Sequence, residues 1–356
     1  MKQSLKDYKR IVIKIGSSLM YSDKGKLDLG FVNAIVSQIA GLVREGKEVI
    51  IVSSGAIALG MSVLRLEDRP KELAYLQAAA AVGQHELMDA YRRFFRSRKL
   101  NCAQLLLTWE DFNDHKRYLN AKNTLLALFK MKGIPVINEN DTVSTDEIKF
   151  GDNDRLSALV ASLVGADLLI ILSDVEGLLG ADKKTVVRLV EKITPAIKAL
   201  ACPTSKKTCV GGMITKIEAA NIAVSSGIPC VIASGRRKDI ITSCVKESGA
   251  FGTIFLPKNE SLAEKERWIA FSSRPKGRII VDDGARSALE NKKSLLAVGV
   301  ISAEGDFAAG DIVSIRDSKA HEFARGRAGI SSKELENIKG AHHEKEVAHR
   351  DNIVVF

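Results

Sequence analysis

Arg10-Ile-Val-Ile-Lys-Ile15 is a short β-branched run closed by Gly16. Such a run is a buried strand. A helical pattern follows it: Phe31 to Glu45 carries Ile35, Ile39, Leu42 and Val43 at helical spacing and stops at Gly46. Glu48-Val-Ile-Ile-Val-Ser53 is a second apolar run, closed by Gly55. The alternation continues through residue 256. Cys102–Leu107, Ile134–Asn138, Leu168–Ser173 and Cys230–Ala233 are strand candidates. Helical stretches at Glu72–Arg98, Lys116–Lys130, Asp154–Leu163 and Gly211–Ser226 separate them. Continuous apolar strands between amphipathic helices predict an α/β fold, a mainly parallel sheet sandwiched by helices. From Lys276 onward the strand-like pieces are short and punctuated by glycine: Arg278–Val281, Leu295–Ala297, Ile312–Ile315 and Ile353–Phe356. These predict a small β-rich C-terminal domain. The organisation read from the chain is a first domain over residues 1–256, a linker over 257–275 and a second domain over 276–356.

In an open parallel sheet, ligands bind beyond the carboxyl ends of the strands, so the residues after each strand carry the chemistry. Lys14 interrupts an apolar strand. Either its stem packs while its head reaches solvent, or its head faces an anion at the strand end, where Gly16, Ser17 and Ser18 offer backbone N–H groups. Ser53-Ser54-Gly55 is either a turn with a helix cap or an anion loop at a helix N-terminus. The most informative stretch is Asn138-Glu139-Asn140-Asp141, directly after a buried strand, followed by Gly151-Asp152-Asn153-Asp154. Single polar clusters are ordinary turns. Two of them, at a strand end and a helix start, suit an α-amino acid zwitterion: carboxylates accept from the ammonium, and amides donate to the carboxylate. Leu168–Leu172 ends in Ser173-Asp174, and Val210-Gly211-Gly212-Met213-Ile214-Thr215-Lys216 opens a helix as a phosphate cradle. That loop is not a Walker A sequence. His349-Arg350-Asp351 lies too close to the chain end to be a protein-kinase catalytic triplet.

Composition bounds the alternatives. Of the 356 residues, 46% are hydrophobic and 27% charged, enough for two cores. No apolar run approaches the ~20 residues that span a bilayer, and Met1–Arg10 has no signal-peptide pattern. The five cysteines, Cys102, Cys202, Cys209, Cys230 and Cys244, form no C-x-x-C, which favours a reducing cytoplasm. The net charge is +10, yet residues 276–356 hold 13 Lys+Arg against 13 Asp+Glu, so the excess sits in the first domain. A basic chain suits nucleic acid or small anions; the neutral second domain argues against a large nucleic-acid footprint there, with Arg325 and Arg327 left as a local patch. Arg92, Arg93, Arg96, Arg98 and Lys99 read as a solvated helix face, with a subunit contact as the alternative. His321, His342, His343 and His349 match no zinc spacing.

Together, Val136-Ile-Asn-Glu-Asn-Asp-Thr-Val143, Gly151-Asp-Asn-Asp-x-Leu-Ser-Ala158 and Gly211-Gly-Met-x-Thr-Lys216 resemble the amino acid kinase family, and within it the members that phosphorylate glutamate. Ser53-Ser-Gly-Ala-Ile-Ala58, Ala80-Ala-Val-Gly-Gln84 and Tyr118-Leu-Asn-Ala121 support this over residues 10–256. The remainder resembles a PUA domain, on Gly277–Ala285, Phe307–Asp311 and His349–Asp351. One departure is Cys209-Val210, where members usually have Gly-Thr. The resemblance implies transfer of the ATP γ-phosphoryl group to the side-chain carboxylate of L-glutamate, the first step towards proline. Acceptors such as aspartate, N-acetylglutamate, carbamate or a nucleoside monophosphate are the same-fold alternatives. It implies Lys14 and Lys216 as catalytic ammonium groups oriented by Asp152. It also implies Ser54, Asp141 and Asn153, with Asn138 nearby, at the amino acid. Lys14, Gly16, Ser173, Asp174 and the loop Val210, Gly211, Gly212, Met213, Ile214, Thr215 and Lys216 are implied at the nucleotide. Mg2+ accompanies ATP without a dedicated protein cage; proline as feedback inhibitor and a homo-oligomer complete the expectations.

Overall fold

The computed structural model describes residues 8–21, 26–143, 153–201, 212–246, 251–257, 262–272 and 275–356. The chain divides into two compact units, Met1–Asp111 with His115–Ser261, and Phe112–Asp114 with Leu262–Phe356. The first unit is built on eight strands: β1 (Arg10–Ile15), β2 (Glu48–Ser53), β3 (Asn101–Leu107), β4 (Gly133–Glu139), β5 (Leu168–Ser173), β6 (Leu189–Val190), β7 (Cys230–Ser234) and β8 (Thr253–Phe255). They form one sheet in the order β3-β4-β2-β1-β5-β7-β8-β6. Every pairing is parallel except β7–β8. The helices are α1 (Leu29–Arg44), α2 (Ala56–Val63), α3 (Leu73–Arg96), α4 (Trp109–Asn113), α5 (His115–Lys130), α6 (Asn153–Val164), α7 (Pro195–Leu200), α8 (Met213–Ser225) and α9 (Ile240–Lys246).

Local chemistry explains the boundaries. Asp28 caps α1 by accepting from the Phe31 N–H at 2.9 Å, and Gly46 ends its exit turn at φ +82°. Thr194 caps α7 ahead of Pro195. Side chains alternate across β1. Ile11, Ile13 and Ile15 share one core with Val32, Ile35 and Ile39 of α1, Leu87, Tyr91 and Phe95 of α3, and Ile240 and Ile241 of α9. The opposite face carries Val12 and Lys14, and α6 packs over it. Helix α6 is buried on nearly all sides, with α8 and α5 as helical neighbours. A helix covered all round is apolar all round, so the polar residues at its start, Asn153 and Asp154, stand out.

The pair α2 and α3 holds the loop after β2. A Cβ built on Gly83 would lie 1.8 Å from the Ala56 carbonyl oxygen, and one on Gly60 would lie 1.7 Å from that of Ala79. The obstacles are backbone, so neither helix can yield locally. Gly83→Ala is expected to destabilise the fold by about 2–3 kcal/mol. Gly41→Ala in α1 meets nothing within 4 Å and is expected to stabilise by about 0.5–1 kcal/mol, since alanine is the better helix former. Urea titration of the two variants checks both signs.

After Phe112–Asp114 the second unit continues with α10 (Glu264–Arg267) and a π-helical turn at Trp268–Ser272, helical pieces within the stretch 257–275 read as a linker. It continues through β9 (Gly277–Val281), α11 (Asp283–Glu290), β10 (Leu295–Leu296), β11 (Val300–Glu304), β12 (Ile312–Arg316), β13 (Glu322–Arg327), α12 (Ser332–Ile338), β14 (Glu346–Ala348) and β15 (Ile353–Val355). A mixed sheet in the order β11-β9-β12-β13-β15 encloses Ile279, Val281, Val313, Ile315 and Ala324, with Leu289 and Leu335 from the helices. Asp282 and Ser331 cap those helices.

Candidate active site

The strand order places the site. From β1 the chain runs to β2, then out to the edge strand β3 and back to β4 between them. It returns through α6 to β5, on the other side of β1. The carboxyl end of β1 is therefore the switch point where an α/β sheet opens a crevice. Lys14 is paired in register with Val52 and Ile171 at that point.

Its ammonium is not solvated: the residue is 6% exposed, as is Lys216 in the second turn of α8. Both reach one carboxylate. Lys14 Nζ lies 2.5 Å from Asp154 Oδ1, and Lys216 Nζ donates to Asp154 Oδ2 at 3.1 Å. Thr215 Oγ1 lies 3.0 Å from Asp154 Oδ2 and 2.9 Å from the Gly212 carbonyl, so its one proton is shared between them. Burial opposes ionisation of Asp154. The charges of Lys14 and then Lys216, with a hydrogen bond from each, outweigh it and hold the carboxyl below the ordinary carboxylate range. Among the described residues, two ammonium groups share one carboxylate at this buried centre, an arrangement suited to an anion.

Beside this centre runs a chain of amides. The two protons of Asn153 Nδ2 are shared among Ser54 Oγ at 2.9 Å, the Ser53 carbonyl at 3.0 Å and Asn138 Oδ1 at 2.9 Å. Asn138 in turn accepts from the Glu139 N–H and donates to Gln84 Oε1. Ser53 Oγ lies 3.0 Å from the hydroxyl of Tyr91, which burial pushes above its ordinary pKa. The Tyr21 hydroxyl donates to the Gly55 carbonyl. Gly55 sits at φ +107°, and a Cβ there would lie 2.8 Å from the Tyr21 oxygen, so the loop that carries Ser54 is held from both sides.

The structure brings several of the sequence candidates together. Lys14 and Lys216 meet at one carboxylate, and Ser54, Asn138 and Asn153 meet in the amide chain. Asp141 follows in the half-buried turn after β4. At the neighbouring strand end, Ser173 donates to the exposed Asp174 at 3.0 Å. Gly16 packs against the end of β5, and its N–H donates to the Leu172 carbonyl at 3.0 Å, so it offers closeness rather than a free donor. Gly212 precedes α8 with no side-chain cap, and Met213, Ile214 and Thr215 form its first turn. Asp152, Val210 and Gly211 lie outside the described residues. The carboxylate that bridges the lysines is Asp154, two residues beyond the one assigned that task. Gln84 and Tyr91 also went without a role. Among the described residues, no group of three or more His, Cys, Asp or Glu side chains is placed to hold a metal ion, and no helix is long and apolar enough to cross a membrane.

The chain is similar to known proteins along its whole length. The model of the amino acid kinase family matches residues 9–234, and that of the PUA domain matches residues 277–350. The chain is 45% identical to a glutamate 5-kinase of Caldanaerobacter subterraneus subsp. tengcongensis, over 98% of both chains. It is 44% identical to those of Pelobacter propionicus, over 98% of both, and of Geobacter sp. strain M21, over the full length of both. With a parallel sheet whose switch point holds two buried lysines on one carboxylate, and with relatives aligned end to end, the chain belongs to the amino acid kinase family.

Proposed function

We propose that the protein transfers the γ-phosphoryl group of ATP to the side-chain carboxylate of L-glutamate, forming glutamyl 5-phosphate for proline biosynthesis. The observation that carries this reading is the pair of ammonium groups gathered at Asp154 beside a chain of buried amides. The end-to-end similarity to glutamate 5-kinases selects the acceptor. The attacking carboxylate is ionised at neutral pH, so no general base is required. Its oxygen bonds to the γ-phosphorus as the bond to the ADP oxygen breaks. The enzyme's task is alignment and charge compensation. Lys14 and Lys216 neutralise the repulsion between carboxylate and triphosphate and stabilise the charge spread over the transferring group. Asp154 keeps their heads together and does not move a proton. The N–H groups at the start of α8, with no side-chain cap at Gly212, face the phosphates. Ser173 and Asp174 border the nucleotide. Ser54, Asn138, Asp141 and Asn153 hold the amino acid. Mg2+ enters as the ATP complex, bound by phosphate oxygens and water. The reaction takes place in the cytoplasm, in a homo-oligomer inhibited by proline; activity unchanged at millimolar proline would remove that last point.

Incubation with ATP, L-glutamate and hydroxylamine tests the activity, because hydroxylamine traps an acyl phosphate as a hydroxamate. The expected result is hydroxamate with L-glutamate and little with aspartate, N-acetylglutamate, carbamate or a nucleoside monophosphate. ADP release with one of these and none with glutamate would replace the acceptor.

A further inference from the structure

We infer that Gln84 is a positioning residue that anchors the far end of a buried amide relay, and that the relay makes Asn153 Oδ1 the acceptor for the α-ammonium group of the substrate. This rests on the amino acid acceptor proposed above.

Gln84, Asn138, Asn153 and Ser54 are each 8% exposed or less and are linked in that order. An amide is polar at both ends and nearly symmetric in shape, so the partners decide which end points where. Two backbone groups settle it here, because neither can reverse. The Glu139 N–H donates to Asn138 at 2.9 Å, which fixes that atom as Oδ1. The Ser53 carbonyl accepts from Asn153 at 3.0 Å, which fixes that atom as Nδ2. Asn138 must then present its NH2 to Gln84, and Gln84 Oε1 receives it at 2.8 Å. The relay has one sense: Asn153 donates into Asn138, and Asn138 donates into Gln84.

That sense leaves two polar atoms over. Asn153 Oδ1 and Gln84 Nε2 are buried and have no hydrogen-bond partner among the described residues. Buried polar groups are nearly always satisfied, so such atoms point to a ligand. Asn153 Oδ1 is an acceptor at the first residue of α6, next to the Lys14–Asp154–Lys216 centre. Ser54 Oγ accepts from Asn153 Nδ2 at 2.9 Å, which leaves its own proton to donate onward. An acceptor beside a hydroxyl donor matches an ammonium beside a carboxylate, the two charges on the α-carbon of an amino acid. If Asn153 were turned over, its NH2 would meet the ammonium with like polarity. Gln84 opposes that turn by holding Asn138 from the far end. It acts through Asn138 and Asn153 rather than on the reacting atoms.

Three proteins test this, assayed with L-glutamate and with glutarate, the same diacid without the amino group. Gln84→Met keeps the length and apolar volume and removes the acceptor. Its expected KM for L-glutamate is at least tenfold higher, with the KM for ATP unchanged and kcat within threefold. The preference for L-glutamate over glutarate, as a ratio of kcat/KM values, is expected to shrink at least tenfold. Gln84→Glu restores an oxygen for Asn138 Nδ2 and is expected to bring KM and preference back to within threefold of wild type. An unchanged preference in Gln84→Met, or KM values for both substrates rising together, overturns the inference, as does a failure of Gln84→Glu to recover the preference. The wild-type arm separates this from the glutamate reading. If another α-amino acid is phosphorylated in its place, the glutamate reading fails and the same comparison runs against that substrate's deamino analogue. If no α-amino acid is phosphorylated, both fail.

Discussion

Lys216→Ala is expected to lower kcat by about 10²–10³-fold, with kcat/KM falling in step. The magnitude follows from removing one preorganised charge aimed at the transferring group in a site closed to water. The loss falls on the transition state because Lys216 is buried and already held when substrates arrive, at 3.1 Å from Asp154 Oδ2. An interaction made mainly in the transition state lowers kcat rather than raising KM. The fold tolerates the change better than the chemistry does. Asp154 keeps Lys14 at 2.5 Å, so the buried carboxylate is still compensated, and the stability lost is that of one charge-assisted hydrogen bond, about 1.5–3 kcal/mol. Steady-state kinetics with a urea titration of the same preparation separates the two effects. A variant with wild-type kcat would end the assignment of Lys216 to the phosphoryl group.

The parts of this fold visible in the chain are those where one local signal dominates. β1, β2 and β5 are continuous apolar runs, and their observed ends match the runs read from sequence. Other features have no local signal. The placement of β3 outside β4 depends on crossover geometry, which periodicity does not contain. β6 has two residues and β8 three, too short for a periodic signal, and β8 runs antiparallel to β7 and parallel to β6. Helix α2 is eight residues long with Gly60 inside it, and it is defined by its crossing with α3.

The site divides in the same way. Lys14 was legible because a charge inside an apolar strand demands a partner. Its partner was less so. Asp152 and Asp154 stand on either side of Asn153 in the sequence, and the residue at which a helix begins is the least certain feature of a helical pattern. α6 begins at Asn153, which sends the Asp154 side chain into the crevice. Gln84 carried a readable signal that went unused. It lies on the buried stripe of α3 with Ala80, Leu87 and Tyr91, where an amide needs a partner as much as the strand lysine does.

Asp154→Asn is expected to reduce kcat by at least as much as Lys216→Ala and, unlike it, to weaken the fold severely. Asparagine keeps the shape and removes the charge, so two ammonium groups 2.5 and 3.1 Å from one side chain lose their counter-charge together. Removing the shared partner of a buried ion pair costs about 3–5 kcal/mol. The pH dependence has a definite sign. The folded-state carboxyl of Asp154 lies below its ordinary range. The stability its ionised form contributes is therefore fully present above the unfolded value of about 3.9 and lost as pH falls through the folded value. The difference in urea stability between wild type and Asp154→Asn should stay constant from about pH 5 to 8 and narrow only below about pH 4; a difference that grew across pH 5 to 8 would mean a raised carboxyl instead. ATP provides a second check. Its phosphates supply the negative charge the variant lacks, so saturating MgATP should raise the melting temperature of Asp154→Asn more than that of wild type. Stabilisation without recovery of kcat would separate the two contributions of Asp154. Charge balance can come from any anion, but a carboxylate fixed at the start of α6 also holds both ammonium heads together at the position proposed for the phosphoryl group.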